Sequence, residues 1–203
     1  MKNIREILPG IYQCLSFTGQ EVQATIYVKR SFGNYLFYEA TLHNDFLRLI
    51  RAQGGLVKYF HEADQHGDEI AKQFFARFGA SSVFLSAPDE MKEYRWEIFA
   101  EQRKLYQGVS LINLETLPGL GIYVMKHKGF RILLPAGLLA LHNGHWAFRL
   151  HLNQQQRYEI TEKLRELEFD YLLPQFFKGY ISFQPVEDDF KEIQLHHLAH
   201  AAV

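Results

Sequence analysis

Near the amino end, Ile11 to Phe17, Gln23 to Lys29 and Tyr35 to Ala40 alternate apolar and polar positions, separated by Thr18-Gly19-Gln20 and Ser31-Phe32-Gly33-Asn34. A period of two puts successive side chains on opposite faces, so the pattern predicts three antiparallel strands joined by turns. The period then changes. From Asn44 to Gln53, Phe46, Leu47, Leu49 and Ile50 share one helical face, Arg48 and Arg51 lie off it, and Gly54-Gly55 supplies a stop. Leu56 to Phe60 reads as a buried strand, ending at the polar run His61-Glu62-Ala63-Asp64-Gln65-His66-Gly67-Asp68, a loop at the strand's carboxyl end. Glu69 to Phe78 is predicted helical, with Phe74, Phe75 and Phe78 assigned to the core, and Ser82 to Ser86 as the next strand.

Asp89 to Gln107 is charged and aromatic and is expected to form a surface helix or lid anchored by Trp96 and Phe99. Val109 to Leu114, Gly121 to Met125 and Phe130 to Leu134 follow as strands, the last two joined by Lys126-His127-Lys128-Gly129. Asn143-Gly144 predicts another tight turn. Gln155 to Phe169 carries Tyr158, Ile160, Leu164 and Leu167 toward the core, and Tyr171 to Leu173 is a short strand ahead of Pro174. A strand-rich half with helices followed by a second such half predicts an α/β chain, a four-layer αββα sandwich in a single domain over residues 1–203.

Composition narrows the functions. The 203 residues are 47% hydrophobic, enough to fill a substantial core. A net charge of -1, from 22 Lys+Arg against 23 Asp+Glu, gives no field to recruit phosphate backbones or an anionic membrane. Neither a nucleic acid nor a membrane is expected as a partner, and no apolar run nears the ~18 residues that span a bilayer. The single cysteine, Cys14, cannot close an internal disulfide, and MKNIREILPG lacks a signal peptide's apolar stretch, so the expected compartment is the cytoplasm. Cys14 has no basic neighbour in sequence to activate it and reads as a buried thiol. No serine lies in a G-x-S-x-G elbow, and the paired glycines lack phosphate-loop spacing.

The order of elements and several local motifs resemble the metallo-β-lactamase superfamily over roughly residues 5 to 180, with 181–203 as a C-terminal extension. Ile7-Leu8-Pro9-Gly10-Ile11-Tyr12 is similar to its opening strand, and Gly54-Gly55-Leu56-Val57 leads into its metal loop. Pro118-Gly119, Leu133 to Leu139 and Leu172-Leu173-Pro174 resemble its later strand-end motifs. The family's loop reads H-x-H-x-D-H, whereas the matched segment keeps His61 and His66 but has Ala63 and Gln65. The histidine of the family's P-G-H turn is Leu120, the stretch of its bridging aspartate is Leu134-Pro135-Ala136-Gly137-Leu138, and its last histidine falls at or near Phe176. Catalytic zinc usually takes three protein ligands and one water, and His61 with His66 are too few. The resemblance thus implies a divergent scaffold that has lost the binuclear zinc site and parent hydrolase activity. It would act in binding or interaction, with no cofactor and with a small molecule or protein as partner. His61, Asp64, His66, Asp68, Leu120, Gly137 and Phe176 border the implied cleft.

An alternative from another class is a metal-dependent hydrolase with one Zn, Fe or Mn ion at His61, Asp64 and His66, with Asp68 as a further candidate ligand. Against it, Asp64 or Asp68 suits the role of a cap on the following helix. His142, His145 and His151 form a second group, read as solvated flanks of the Asn143-Gly144 turn, and His196 with His200 has helical i, i+4 spacing. A third expectation is a homodimer built on surplus aromatic surface.

Overall fold

The structure, a computed structural model, describes residues 3–19, 21–38, 43–60, 65–84, 96–98, 105–106, 108–114, 116–117 and 121–200. The chain divides into two compact units, the first comprising residues 1–17 and 23–100 and the second 18–22 and 101–203.

The first unit opens with a hairpin. Strands β1 (Ile4–Leu8) and β2 (Ile11–Thr18) turn at Pro9-Gly10, where Gly10 takes φ 82, a region that favours glycine, and its N–H donates to the Glu6 carboxylate at 2.6 Å. Strand β3 (Glu21–Val28) pairs antiparallel with β4 (Tyr35–Phe37), which begins a parallel run with β5 (Lys58–Phe60), β6 (Ser81–Phe84) and β7 (Trp96–Ile98). Parallel strands need crossover connections, here α1 (Asn44–Ala52) between β4 and β5 and α2 (Gln65–Phe78) between β5 and β6. The apolar stripe of α1 buries Phe46, Leu47, Leu49 and Ile50 in a core with Tyr27, Tyr59, Ile70 and Phe74. Asn34 fixes the exit from α1, its amide donating to the carbonyls of Gln53 and Gly55 at 3.0 Å each.

Two expectations change here. Helix α2 begins at Gln65, so the polar loop after β5 is shorter than its composition indicates, and Phe75 lies on the exposed side of α2. Of the stretch 89–107, the described parts are strands: β7 and β8 (Leu105–Tyr106). The rest of that expected helix or lid lies outside the described residues.

The second unit carries a sheet in the order β16-β14-β11-β10-β9-β8, formed with β9 (Val109–Asn113), β10 (Gly121–His127), β11 (Phe130–Leu134), β14 (Tyr171–Leu172) and β16 (Gln184–Pro185). β10 and β11 are joined by Lys128-Gly129 with φ 47 and 89, the two positive values of a type I′ turn. Strands β12 (Leu139–His142) and β13 (His145–Phe148) turn the same way through Asn143-Gly144, φ 52 and 86, and β12 pairs in parallel with β15 (Phe176–Lys178).

Helix α3 (Gln154–Glu166) starts at a capping box: the Asn153 side chain accepts from the Gln156 N–H at 2.9 Å and the Gln156 side chain accepts from the Asn153 N–H at 3.1 Å. It buries Ile160 and Leu164, while Tyr158, expected in the core, is 58% exposed. Helix α4 (Asp188–His200) packs on α3 and closes its end, since Lys191 Nζ donates to the carbonyls of Arg165 at 2.9 Å and Leu167 at 2.6 Å. Gln194 accepts the buried Trp146 N–H at 2.8 Å.

Candidate functional site

Of the residues expected at the cleft, His61, Asp64 and Leu120 lie outside the described residues. His66 and Asp68 fall in the first turn of α2, where the backbone alone is described. Gly137 and Phe176 are placed in full, both in the second unit.

Gly137 sits half-buried in the tight turn after β11, where the Leu138 N–H reaches back to the Pro135 carbonyl at 3.0 Å. Phe176 is the first residue of β15, opposite Ala140 of β12. Arg149 connects the two places. Its backbone N–H donates to the Leu138 carbonyl at 3.1 Å, and its guanidinium lies over the Phe176 ring at 3.4 Å from the centroid. Neither expected position offers a side-chain lone pair to a metal: one has no side chain, and the other presents a ring capped by a guanidinium.

Around this stack lies a charged cluster. Strand alternation puts Phe176 and Lys178 on one face of β15 and Ala140 and His142 beside them on β12, with His142 opposite Lys178. Glu21 receives all three basic groups: Arg149 Nη2 stands 3.2 Å from Oε2, and His142 Nε2 and Lys178 Nζ stand 3.6 and 3.9 Å from Oε1. His142 flanks the turn with its side chain 39% exposed, while its Nε2 is turned inward and faces a carboxylate. Glu21, Arg149 and Lys178 escape a sequence reading because 128 residues separate the first two and none lies in a motif. The alternation in Phe176-Phe177-Lys178 is the one local signal.

In the first unit a concavity of about 540 Å³ is lined by Asn3, Ile4, Cys14, His43, Asp45 and Phe46. Cys14 is buried, and burial, with the Asp45 carboxylate adding to it, pushes the thiol up to about 11, which makes it a poor nucleophile at neutral pH. His196 and His200 come together on α4 with ring centroids 4.6 Å apart. Among the described residues no group of three or more His, Cys, Asp or Glu side chains is placed to hold a metal ion.

Among the described residues two sheets and four helices define a mixed α/β chain, and comparison with solved structures gives that architecture its name: the chain has the metallo-β-lactamase fold. It is similar to a metallo-β-lactamase from Staphylococcus aureus subsp. aureus COL, with TM-score 0.65 and 9% identity over 95% of this chain and 63% of that one. The chain thus spans less than two thirds of that protein. A metallo-β-lactamase from Pontibacter korlensis is similar at TM-score 0.61 and 13% identity, covering 97% of this chain and 98% of that one. The mono-zinc form of the metallo-β-lactamase FIM-1 from Pseudomonas aeruginosa gives TM-score 0.63 and 10% identity, covering 98% and 95%. No protein-family model and no curated protein matches the chain.

Proposed function

We propose that this chain uses the metallo-β-lactamase fold without its binuclear zinc chemistry and acts as a ligand-binding or interaction protein in the cytoplasm. One observation carries the reading: at the strand end where the resemblance puts the last metal ligand, Phe176 lies under the Arg149 guanidinium at 3.4 Å. A fixed cation there repels a divalent ion, and the apolar ring removes the ordered contacts that orient metal ligands. Gly137 likewise supplies no carboxylate where the family has one.

The alternative is a hydrolase with one Zn, Fe or Mn ion at His61, Asp64 and His66, favoured by the closeness of those residues in sequence and by His66 opening a helix. Asp64 or Asp68 would then ligate or act as general base toward a bound water. Metal analysis of protein purified without chelator or affinity tag separates the two. Less than about a tenth of an equivalent of metal fits the binding protein, because a catalytic site needs its ion at stoichiometric occupancy. A stoichiometric metal lost in His61→Ala would end the binding-protein reading instead.

A further inference from the structure

The cluster around Glu21 is arranged for more than an ion pair. Arg149 and Lys178 outnumber the one carboxylate they face, and His142 joins them from β12. The Phe176 ring under the guanidinium fixes its plane, so its donor edge points toward Glu21. Yet the contacts of Glu21 Oε1, 3.6 Å to His142 and 3.9 Å to Lys178, are beyond hydrogen-bond range, so Glu21 gathers these groups without saturating them. His142 Nε2 is enclosed with no hydrogen-bond partner, and a buried polar atom in that state calls for a partner the free chain does not supply. Three converging donors, one of them a flat fork, are the chemistry that recognises a small oxyanion.

We infer that the second unit holds a binding site for a carboxylate or phosphate group, built from Arg149, Lys178 and His142 on the Phe176 platform, with Glu21 standing in for the ligand in the free protein. The inference rests on the reading that the chain binds a ligand, and it names the class. A ligand oxyanion accepts from the guanidinium fork and from Lys178, and brings an acceptor within reach of His142 Nε2. Glu21 competes for the same donors, so neutralising it should strengthen binding rather than weaken it, the opposite of what a purely structural ion pair predicts.

The test is calorimetric titration of the full chain at low ionic strength with inorganic phosphate and, separately, with succinate. Glu21→Gln should bind at least one of them about fivefold or more tightly than the wild type, because it removes an internal competitor for the same donors. Arg149→Gln should abolish binding in both backgrounds, and the anion preferred by Glu21→Gln tells phosphate from carboxylate ligands. Should Glu21→Gln fail to fold, as judged by circular dichroism, Arg149→Lys in the wild-type chain keeps the charge but loses the fork, and should weaken binding about tenfold. Equal affinity of Glu21→Gln and wild type, undiminished binding in Arg149→Gln or Arg149→Lys, or no binding of either anion at about 10 mM in any variant overturns the inference. The outcomes separate from those of metal analysis. Metal-free protein without anion binding sinks this site alone, and stoichiometric metal with Arg149-dependent anion binding sinks the non-hydrolytic reading alone.

Discussion

The Cys14 thiol packs in the first unit's core beside Tyr27 and Phe46, and its ionisation is suppressed there up to about 11 from the ordinary 9.0. At pH 8 only about one thiol in a thousand is ionised at such a pKa, so alkylation by iodoacetamide should be about a hundredfold slower in native protein than in the unfolded chain. Rapid stoichiometric labelling would show the thiol to be open. The same shift sets a pH dependence. A thiol whose folded value is raised contributes stability fully present below its unfolded value and lost as pH rises through the folded one, here between about pH 9 and 11. Burial raises the Tyr27 hydroxyl too, which extends the loss to higher pH. The melting temperature should therefore fall across that window, and Cys14→Ala should flatten the part below the tyrosine range. Residues were unevenly legible in the sequence. Cys14 could be placed from strand alternation and the lack of basic neighbours, but Arg149 over Phe176 could not, because the pairing that joins them is made by β12 and β15, far apart in the chain.

Elements were legible where one face is apolar. The stripe of α1, the glycine stop behind it and the Asn143-Gly144 hairpin follow from period and turn chemistry alone, whereas β10 runs two residues further than its apolar pattern indicates and leaves only Lys128-Gly129 as the turn. The start of α2 does not, because Gln65-His66-Gly67-Asp68 has no apolar residue to mark a periodic face. The hairpins give a paired test. Gly129 at φ 89 has open space where a side chain would go, whereas at Gly144, φ 86, an added Cβ would meet Ile181 Cδ1 at 3.0 Å. Gly129→Ala should cost about 1 kcal/mol from the left-handed backbone alone, and Gly144→Ala about 1 kcal/mol more from the clash, measured by urea unfolding. Equal losses would mean that the Ile181 side chain gives way freely. Helix α3 offers another: Lys191→Met keeps the apolar stem but removes donors to two terminal carbonyls, and should destabilise by about 2 kcal/mol.

For the whole molecule, the motifs at successive strand ends occur in the order of the metallo-β-lactamase fold, and that order was enough to name the architecture at 9 to 13% identity. Ligand positions could be matched only one by one, and those on residues 61–64 and 118–120 lie outside the described residues. If metal plays no part in holding the molecule together, excess EDTA should leave its unfolding temperature unchanged. A drop of several degrees would reveal a stabilising ion, because any ligand bound to the folded state alone raises stability by mass action. Helix α4 has a consequence of its own. It supplies the acceptor for the buried Trp146 amide, the ammonium that closes α3, and the Glu192 carboxylate that meets Arg165 at 3.0 Å. A nonsense codon anywhere before residue 188 would thus abolish the protein rather than trim it, and a phenotype from such an allele would report loss of the whole product.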